Sequence, residues 1–162
     1  MQAPPAEALI ELVHWNSAVI RMQTRGITQA ESLLQPPFQG NCMNWVVGHI
    51  LTSRGTICEL LGLETVFSPV ELATYDRGSA VMTGTATALE LKTLLERVKE
   101  SDERICRALE ALPEGALQEE VPLGKSKGPL GGHILFLIWH ESYHAGQLEL
   151  LRNLAGKHEK LI

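Results

Sequence analysis

Cysteine is scarce in this sequence and is not arranged to form disulfides. Only Cys42, Cys58 and Cys106 occur among 162 residues, and no two of them make a C-x-x-C pair. An odd number of widely separated cysteines is typical neither of a secreted disulfide framework nor of a cysteine zinc knuckle. We therefore expect the protein to work in a reducing cytoplasm.

Long apolar runs and excess basic charge are also missing. No stretch of about 18 uninterrupted apolar residues occurs, and the N-terminal residues Met1 to Glu7 do not place a basic segment before an apolar one. We expect neither export nor a membrane span. The 14 lysines and arginines are outnumbered by 19 aspartates and glutamates, so the formal net charge is -5. This balance argues against a nucleic-acid partner bound through its phosphates.

Helical periodicity dominates the sequence, and little of it alternates like a strand. Prolines and glycines separate four long predicted helices at residues 6–25, 41–61, 87–112 and 133–156. Asn41 or Asn44 would cap the second helix, and Thr87 to Glu90 form a capping box for the third. A weaker helical piece is expected at residues 28–34. The length fits one domain, residues 1–162.

The connection between the second and third predicted helices is long and runs from Leu63 to Gly84. Short loops force neighbouring helices antiparallel, whereas a long connection can run the length of a bundle. We therefore expect an all-α four-helix bundle with up-down-down-up topology and a long crossover between helices two and three. The stretch from Pro113 to Gly132 is expected to be irregular and to cover one end.

Two histidines four residues apart, His140 and His144, stand on the fourth predicted helix. They would project from one helix face, on a stripe otherwise suited to the core. Buried imidazoles need partners. His49, in the second predicted helix, would complete a three-histidine metal site if the two helices pack together. The alternative is a pair satisfied by neighbouring carbonyls and hydroxyls, or partly exposed at the bundle end.

The same residues, from His140 through Glu141 to His144, also spell the H-E-x-x-H motif of metalloproteases. Such enzymes pair the motif helix with a sheet that binds an extended peptide, and this sequence predicts no such sheet. Glu141 would also point about 100° away from His140 around the helix. We therefore expect Glu141 to act behind the ligands or at the surface, and we do not expect a protease.

Three motifs together resemble the DinB/YfiT-like superfamily, and the likeness covers nearly the whole chain, including His14-Trp15-Asn16. The motifs are Trp45-x-x-Gly48-His49-Ile50, Tyr75-x-x-Gly78-Ser79 and His140-Glu141-x-x-His144-x-Gly146-Gln147. The resemblance implies an up-down-down-up four-helix bundle, usually homodimeric. It also implies a divalent metal held by one histidine from helix two and two from helix four, which are His49, His140 and His144 here.

Characterised members of that superfamily include thiol-dependent S-transferases and isomerases that use low-molecular-weight thiols. Ala145 stands where an arginine often precedes the Gly-Gln of the third motif. The resemblance therefore does not supply this chain with an arginine contact to an anionic substrate at that position.

Three neutral imidazoles leave a divalent ion, expected to be zinc or nickel, with open coordination positions. We expect a metal-dependent enzyme that activates a low-molecular-weight thiol, as an S-transferase does, or water, as a hydrolase does, for a small-molecule substrate. Gln147, one turn beyond His144, would orient a ligand or a bound water. The alternative is a non-catalytic metal-binding dimer with a stress-related or interaction role.

Other residues with chemical potential are interpreted structurally. His133 lies about 10 Å along the helix from His140, too far to share an ion easily. His14 and His158 are expected to be partly exposed, and Cys42 is expected to act as a small buried hydrophobe. The sequence Gly124-Lys125-Ser126 is not a phosphate loop, because the required earlier glycine and preceding strand are missing.

Overall fold

The computed structural model describes residues 3–82, 84 and 86–161, and its secondary structure is mostly helical. The helices are α1 (Ala6–Thr24), α2 (Gln29–Ser32), α3 (Met43–Leu60), α4 (Pro69–Tyr75), α5 (Leu91–Glu110) and α6 (Leu130–Leu154), with a short 3-10 helix at Ala116–Gln118. Two strands, β1 (Glu120–Leu123) and β2 (Ser126–Pro129), form an antiparallel hairpin. The four long predicted helices correspond to α1, α3, α5 and α6, and the weak piece corresponds to α2.

Helix α3 does not use either of its predicted caps. Its N-cap position is Cys42, which makes no side-chain capping bond, so the prediction of Asn41 or Asn44 was wrong. Asn44 lies inside the helix and is fully buried. Its side chain instead accepts a hydrogen bond from the Tyr75 hydroxyl at 3.0 Å and donates to the Leu89 carbonyl at 2.8 Å. The Asn44 side chain therefore forms long-range hydrogen bonds and does not cap the helix.

Helix α5 begins at Leu91, later than the predicted capping box, which was wrong. The backbone just before it is held by distant partners: the Leu89 N–H donates to the Tyr75 hydroxyl at 2.8 Å, and its carbonyl accepts from Asn44. The N–H of Leu91 donates to the side-chain oxygen of Gln29 at 2.7 Å. Gln29 therefore satisfies a first-turn N–H that the local sequence leaves free.

The long connection contains helix α4, which the apolar periodicity did not predict. Ser68 and Glu71 form a capping box, and Pro69 occupies the first helical turn. This pattern is a recognisable helix start in the sequence. The helix ends at Tyr75, whose ring is fully buried beside α3.

The stretch from Pro113 to Gly132 is more regular than predicted, because it contains the hairpin. Glu120 pairs with Pro129 and Leu123 with Ser126. Gly124 adopts a φ of 58°, in the left-handed region that a tight two-residue turn requires. Strands of four residues are too short for alternation to stand out in a sequence.

The four long helices pack around a shared interior. Helices α1 and α3 each contact both α5 and α6. Buried apolar side chains form two clusters, one including Val47, Leu94 and Leu148, and the other including Leu9 and Ile134. Within the part of the chain that the structure describes, no helix is both long and apolar enough to cross a membrane.

Candidate metal centre

Three histidines from two helices meet at one point between those helices, with His49 buried and the other two partly buried. His49 lies in α3, and His140 and His144 lie one turn apart on α6. Ring centroids are separated by 5.4 Å for His49 and His140, 4.8 Å for His49 and His144, and 4.6 Å for His140 and His144. One nitrogen of each ring lies within 4.8 Å of the other two. The structure thus brings together the three residues that the sequence suggested as ligands.

His49 is held on two sides. Its Nδ1 lies 2.8 Å from the Tyr75 carbonyl oxygen, and its ring stacks on Trp45 with centroids 4.6 Å apart and an interplanar angle of 14°. The Trp45 indole N–H donates in turn to the Ser79 hydroxyl at 2.8 Å. Because a carbonyl oxygen only accepts, the His49 proton belongs on Nδ1, which leaves Nε2 with a free lone pair.

The two histidines of α6 are oriented in the same way. The Nδ1 of His144 lies 2.8 Å from the Gln147 side-chain oxygen, and the Nδ1 of His140 lies 3.1 Å from the Ser53 hydroxyl. Their Nε2 atoms face each other at 3.2 Å. Each Nδ1 of the trio therefore has a protein oxygen as partner, an arrangement typical of metal-ligating histidines.

The donor set fits a divalent ion. Ligand nitrogens around a four-coordinate zinc lie about 3.4 Å apart, given Zn–N distances of about 2.1 Å, and the 3.2 Å between the Nε2 atoms of His140 and His144 is close to that. Neutral imidazole suits zinc, nickel, copper and iron(II). Without a metal, His140 can carry its proton on Nε2 and donate to His144, because the Ser53 hydroxyl can donate to Nδ1.

Burial favours the neutral forms of the His140 and His144 rings. Burial lowers the pKa of His144 to about 4, opposed by the hydrogen bond to Gln147 and reinforced by the charges of His49 and His140. Burial also lowers the pKa of His140, and the charges of His49 and Arg77 add to that effect. A metal ligand must be unprotonated, so both shifts favour binding near neutral pH.

We predict that the metal-free protein loses stability as the pH falls from about 6.5 to 4. The pKa of His144 is about 4 in the folded chain and about 6.5 when unfolded, so the unfolded chain takes up the proton first. Stability contributed by the neutral ring is complete above pH 6.5 and is lost toward pH 4. Denaturation in chelator at pH 7 and pH 5 should show wild type losing about 1–2 kcal/mol more than His144→Ala.

His158→Ala serves as the control in that comparison, because His158 is exposed on the C-terminal tail. It should follow the wild-type pH dependence. Equal losses in wild type and His144→Ala would show that His144 does not titrate as described.

A cavity of about 360 Å³ opens beside the three imidazoles. Its apolar lining comes from Phe38, Trp45, Val46, Tyr143, Leu150 and Leu151. Its polar lining includes Gln39, Asn41, Arg77 and Gln147, and no aspartate or glutamate belongs to it among the described residues. An apolar pocket with a few polar groups is the usual form of a site for a small organic ligand.

Sequence comparison places these features in a known family. The sequence profile of the DinB superfamily matches residues 13–148, a span that contains all three histidines. The chain belongs to the DinB superfamily. No protein of curated function matches this DinB superfamily chain in sequence.

Among solved structures, this DinB superfamily chain is similar to a mutant of a mycothiol-dependent maleylpyruvate isomerase, with a TM-score of 0.67 and 16% sequence identity. The match covers 91% of this chain and 63% of the isomerase chain. The present chain thus spans less than two thirds of the isomerase. At this identity the likeness concerns the fold alone.

Glu141 of the H-E-x-x-H sequence turns away from the three imidazoles into the core. It is 1% exposed and forms a two-pronged ion pair with Arg54, at 3.0 Å from Nε and 2.6 Å from Nη2. Of the two roles expected for Glu141, behind the ligands or at the surface, the surface role was wrong. A carboxylate engaged in this way cannot serve as the general base of a zincin-type protease.

Arg54 is the residue that sequence reasoning missed. It is 0% exposed, and its remaining donors reach Val98, Ser101 and Ser17 at 2.8–3.2 Å. Arg54 therefore links all four long helices and follows Ser53, just as Glu141 follows His140. A signal was available, since Arg54 is the one arginine, lysine, aspartate or glutamate from position 43 to 58.

Two residues of the DinB superfamily motifs support His49 through direct packing. The Tyr75 ring lies against Gly48, where any Cβ would overlap the ring atoms. Close approach at Gly48 lets the Tyr75 carbonyl reach His49. The Tyr75 ring thus explains why glycine occupies this position of the first motif, because a larger residue would not fit.

We predict that Gly48→Ala destabilises the protein by about 1–3 kcal/mol because it overpacks against Tyr75. The displaced Tyr75 carbonyl should also weaken metal binding by His49. Gly55→Ala is the matched control on α3, since a Cβ there meets Thr65 at an ordinary 3.6 Å. Chemical denaturation compares the two variants, and equal stabilities would refute the steric argument.

The remaining histidines and Cys42 lie outside the trio. His133 Nε2 lies 3.0 Å from the Val121 carbonyl oxygen, in a contact between α6 and the hairpin. His14 and His158 are exposed, and Cys42 is fully buried.

Proposed function

We propose that this protein is a divalent-metal-dependent enzyme whose ion, zinc or nickel, is bound by His49, His140 and His144. The orientation of the three imidazole rings is the main observation that supports this proposal. Each has Nδ1 on a protein oxygen, and the group borders an open pocket. Ligands fixed in this way by outer partners are characteristic of metal sites.

The pocket favours catalysis over a purely structural role for the ion. Structural zinc sites are closed by four protein ligands, whereas catalytic sites keep a position open. Among the described residues, no fourth histidine, cysteine or carboxylate joins the three histidines. This supports an enzyme over the alternative of a non-catalytic metal-binding dimer with a stress-related or interaction role.

The same pocket favours a low-molecular-weight thiol over water as the activated group. The chemistry that a divalent ion would supply here is a lowered pKa for a bound thiol or water. A free thiol has a pKa of about 8.5 and water one of about 15.7, so a thiol needs less help from a base. The described pocket lining contains no carboxylate, and Glu141 is engaged by Arg54. We therefore propose an S-transferase type of reaction before a hydrolase type.

The roles of the chain's own residues follow from their positions. Tyr75, Ser53 and Gln147 orient the imidazoles. Tyr143 and the other apolar side chains of the pocket would exclude water from a bound small molecule. Arg77 brings positive charge to the lining. The related isomerase is named as mycothiol-dependent, which makes thiols of that class the first to test.

The test is metal-dependent conjugation of a thiol panel (glutathione, bacillithiol and mycothiol) to electrophilic acceptors. The metal-loaded protein should form conjugates with at least one thiol, and His140→Ala should form none. His133→Ala, on the same helix but outside the trio, should retain activity. Absence of both conjugation and hydrolysis with every thiol and acceptor would favour the non-catalytic alternative.

We also propose an up-down-down-up four-helix bundle, formed by α1, α3, α5 and α6 within a single domain of residues 1–162. In a parallel pair of helices, contacts further along one helix lie further along the other. For α1 and α6 the bonds join Asn16 to Ile138 and Gln23 to Arg152. For α3 and α5 they join Asn44 to Leu89 and Arg54 to Val98, so both pairs are supported as parallel. An experimental structure with another helix order would refute this topology.

A homodimer is proposed because α6 exposes a row of large apolar side chains. Phe136, Trp139, Tyr143 and Leu150 are each 54–64% exposed, and Trp15 of α1 is 61% exposed. Contiguous apolar surface of this kind is uncommon on monomers. Light scattering should find a dimer for wild type and a monomer for Trp139→Glu, whereas a monomeric wild type would refute the proposal.

A cytoplasmic location and the absence of a nucleic-acid partner are proposed on chemical grounds. The three cysteines are free and buried, as in a reducing compartment, and the net charge is -5. Cell fractionation and gel-shift assays test the two proposals.

A further inference from the structure

A second group of metal-binding side chains lies between α1 and α5, on different helices from the three histidines. The Nδ1 of His14 is 2.9 Å from Oδ1 of Asp102, and the Sγ of Cys106 is 3.5 Å from the same oxygen. One ligand atom from each residue lies within 4.8 Å of the other two. Asp102 and Cys106 are one turn apart on α5, so both face α1 together.

We propose that His14, Asp102 and Cys106 bind a second divalent cation, of which zinc fits the donors best. Imidazole nitrogen, carboxylate oxygen and thiolate sulfur are the three ligand types that zinc accepts. Water would complete a four-coordinate shell. Such a cation would join α1 to α5, two helices that do not contribute to the first site.

The buried charges around this group support a cation. Asp102 is 7% exposed and Glu141 is 1% exposed, while Arg54 is the charged neighbour that they share. The five N–H donors of Arg54 go to Glu141, to a carbonyl and to hydroxyls, and none reaches Asp102. The close partners of the buried Asp102 carboxylate are therefore the His14 imidazole and the Cys106 thiol, the two other proposed ligands. A cation bound by these three groups would pair the Asp102 carboxylate with a positive charge.

Solvent can reach this group, and a bound ion would have to displace the proton of Cys106. The side chain of His14 is 56% exposed, so an ion can reach the group from solvent. Without an ion, burial and then the charge and hydrogen bond of Asp102 raise the pKa of Cys106 to about 12, and its S–H donates to Asp102. On binding, the S–H bond breaks, the proton leaves to solvent and a sulfur–metal bond forms. The positive ion reverses the local effect on the thiol.

The experiment is replacement of zinc by Co²⁺ in the full chain, followed by absorption spectroscopy. Cobalt bound to a thiolate gives a sulfur-to-metal charge-transfer band in the near ultraviolet, which the three-histidine site cannot give. Wild type should show the band and release a proton on binding. His14→Ala and Cys106→Ser should lose the band and hold about one zinc ion fewer per chain.

Three control variants separate this site from the other cysteines and from the first site. Cys58→Ala and Cys42→Ser should keep the band, and so should His140→Ala, whose first site is lost. His14 is exposed, so His14→Ala remains informative even if Cys106→Ser fails to fold. No band in wild type with excess Co²⁺, or a band that survives in His14→Ala, would overturn the proposal.

Discussion

Arg54→Ala is expected to destabilise the protein by about 3–5 kcal/mol, the cost of leaving a buried charge without its partner. Glu141 would lose both of its close hydrogen bonds while remaining buried. The change would also remove the hydrogen bonds that Arg54 donates to Ser17, Ser101 and the Val98 carbonyl. Equilibrium urea denaturation measures the loss directly, and folding at room temperature is expected to be marginal for this variant.

The control for Arg54→Ala is Lys92→Ala, which removes a surface ion pair with Glu96 at 3.8 Å. That change should alter stability by about 0.5 kcal/mol or less. The double variant Arg54→Met/Glu141→Leu should be far milder than Arg54→Ala, because it removes the Glu141 carboxylate together with the guanidinium that pairs with it. If Arg54→Ala cost no more than Lys92→Ala, the buried ion pair would not be the link between the helices.

His49→Ala and His140→Ala are each expected to weaken metal binding by more than about 100-fold. Loss of an outer partner of a ligand costs about 10–100-fold, and loss of the ligand itself must exceed that. Gln147→Ala, which removes the oxygen beside Nδ1 of His144, should therefore fall within the smaller range. Competition titration against a chelator of known affinity ranks the three variants.

The matched control in that titration is His133→Ala, since His133 lies on the same helix as His140 and bonds to the hairpin instead. Its affinity should equal that of wild type. An affinity for His49→Ala within threefold of wild type would remove His49 from the site.

The long helices could be predicted from the sequence because each carries its own local signal. Apolar residues recur at helical steps, and glycine or proline marks the ends. The helix starts that were predicted wrongly are determined by contacts with residues far away in the sequence. Helix α5 starts at Leu91 because Gln29 and Tyr75 hold the preceding backbone, and no local pattern contains that information.

The histidine trio could be proposed because two of its members share one helix face and the third sits in another apolar helix. The contacts that support the three rings could not be predicted from the sequence. The carbonyl that orients His49 belongs to Tyr75, 26 residues away, and the hydroxyl beside His140 belongs to Ser53, 87 residues away. A backbone carbonyl has no sequence signature, because every residue has one.

The environment of Glu141 also depends on a residue that is far away in the sequence. The motif around it predicts a catalytic base, and its direction on α6 predicts that it points away from His140. Whether it then meets solvent or a partner depends on Arg54, which is 87 residues away in sequence. The packing of α3 against α6 decides the question.

The most direct test of the metal centre is anomalous diffraction from crystals of the zinc-loaded protein. We expect a peak about 2.0–2.1 Å from Nε2 of His49, His140 and His144, with Nδ1 of each ring still on its protein oxygen. A zinc-loaded crystal with no anomalous peak among these three rings would contradict it.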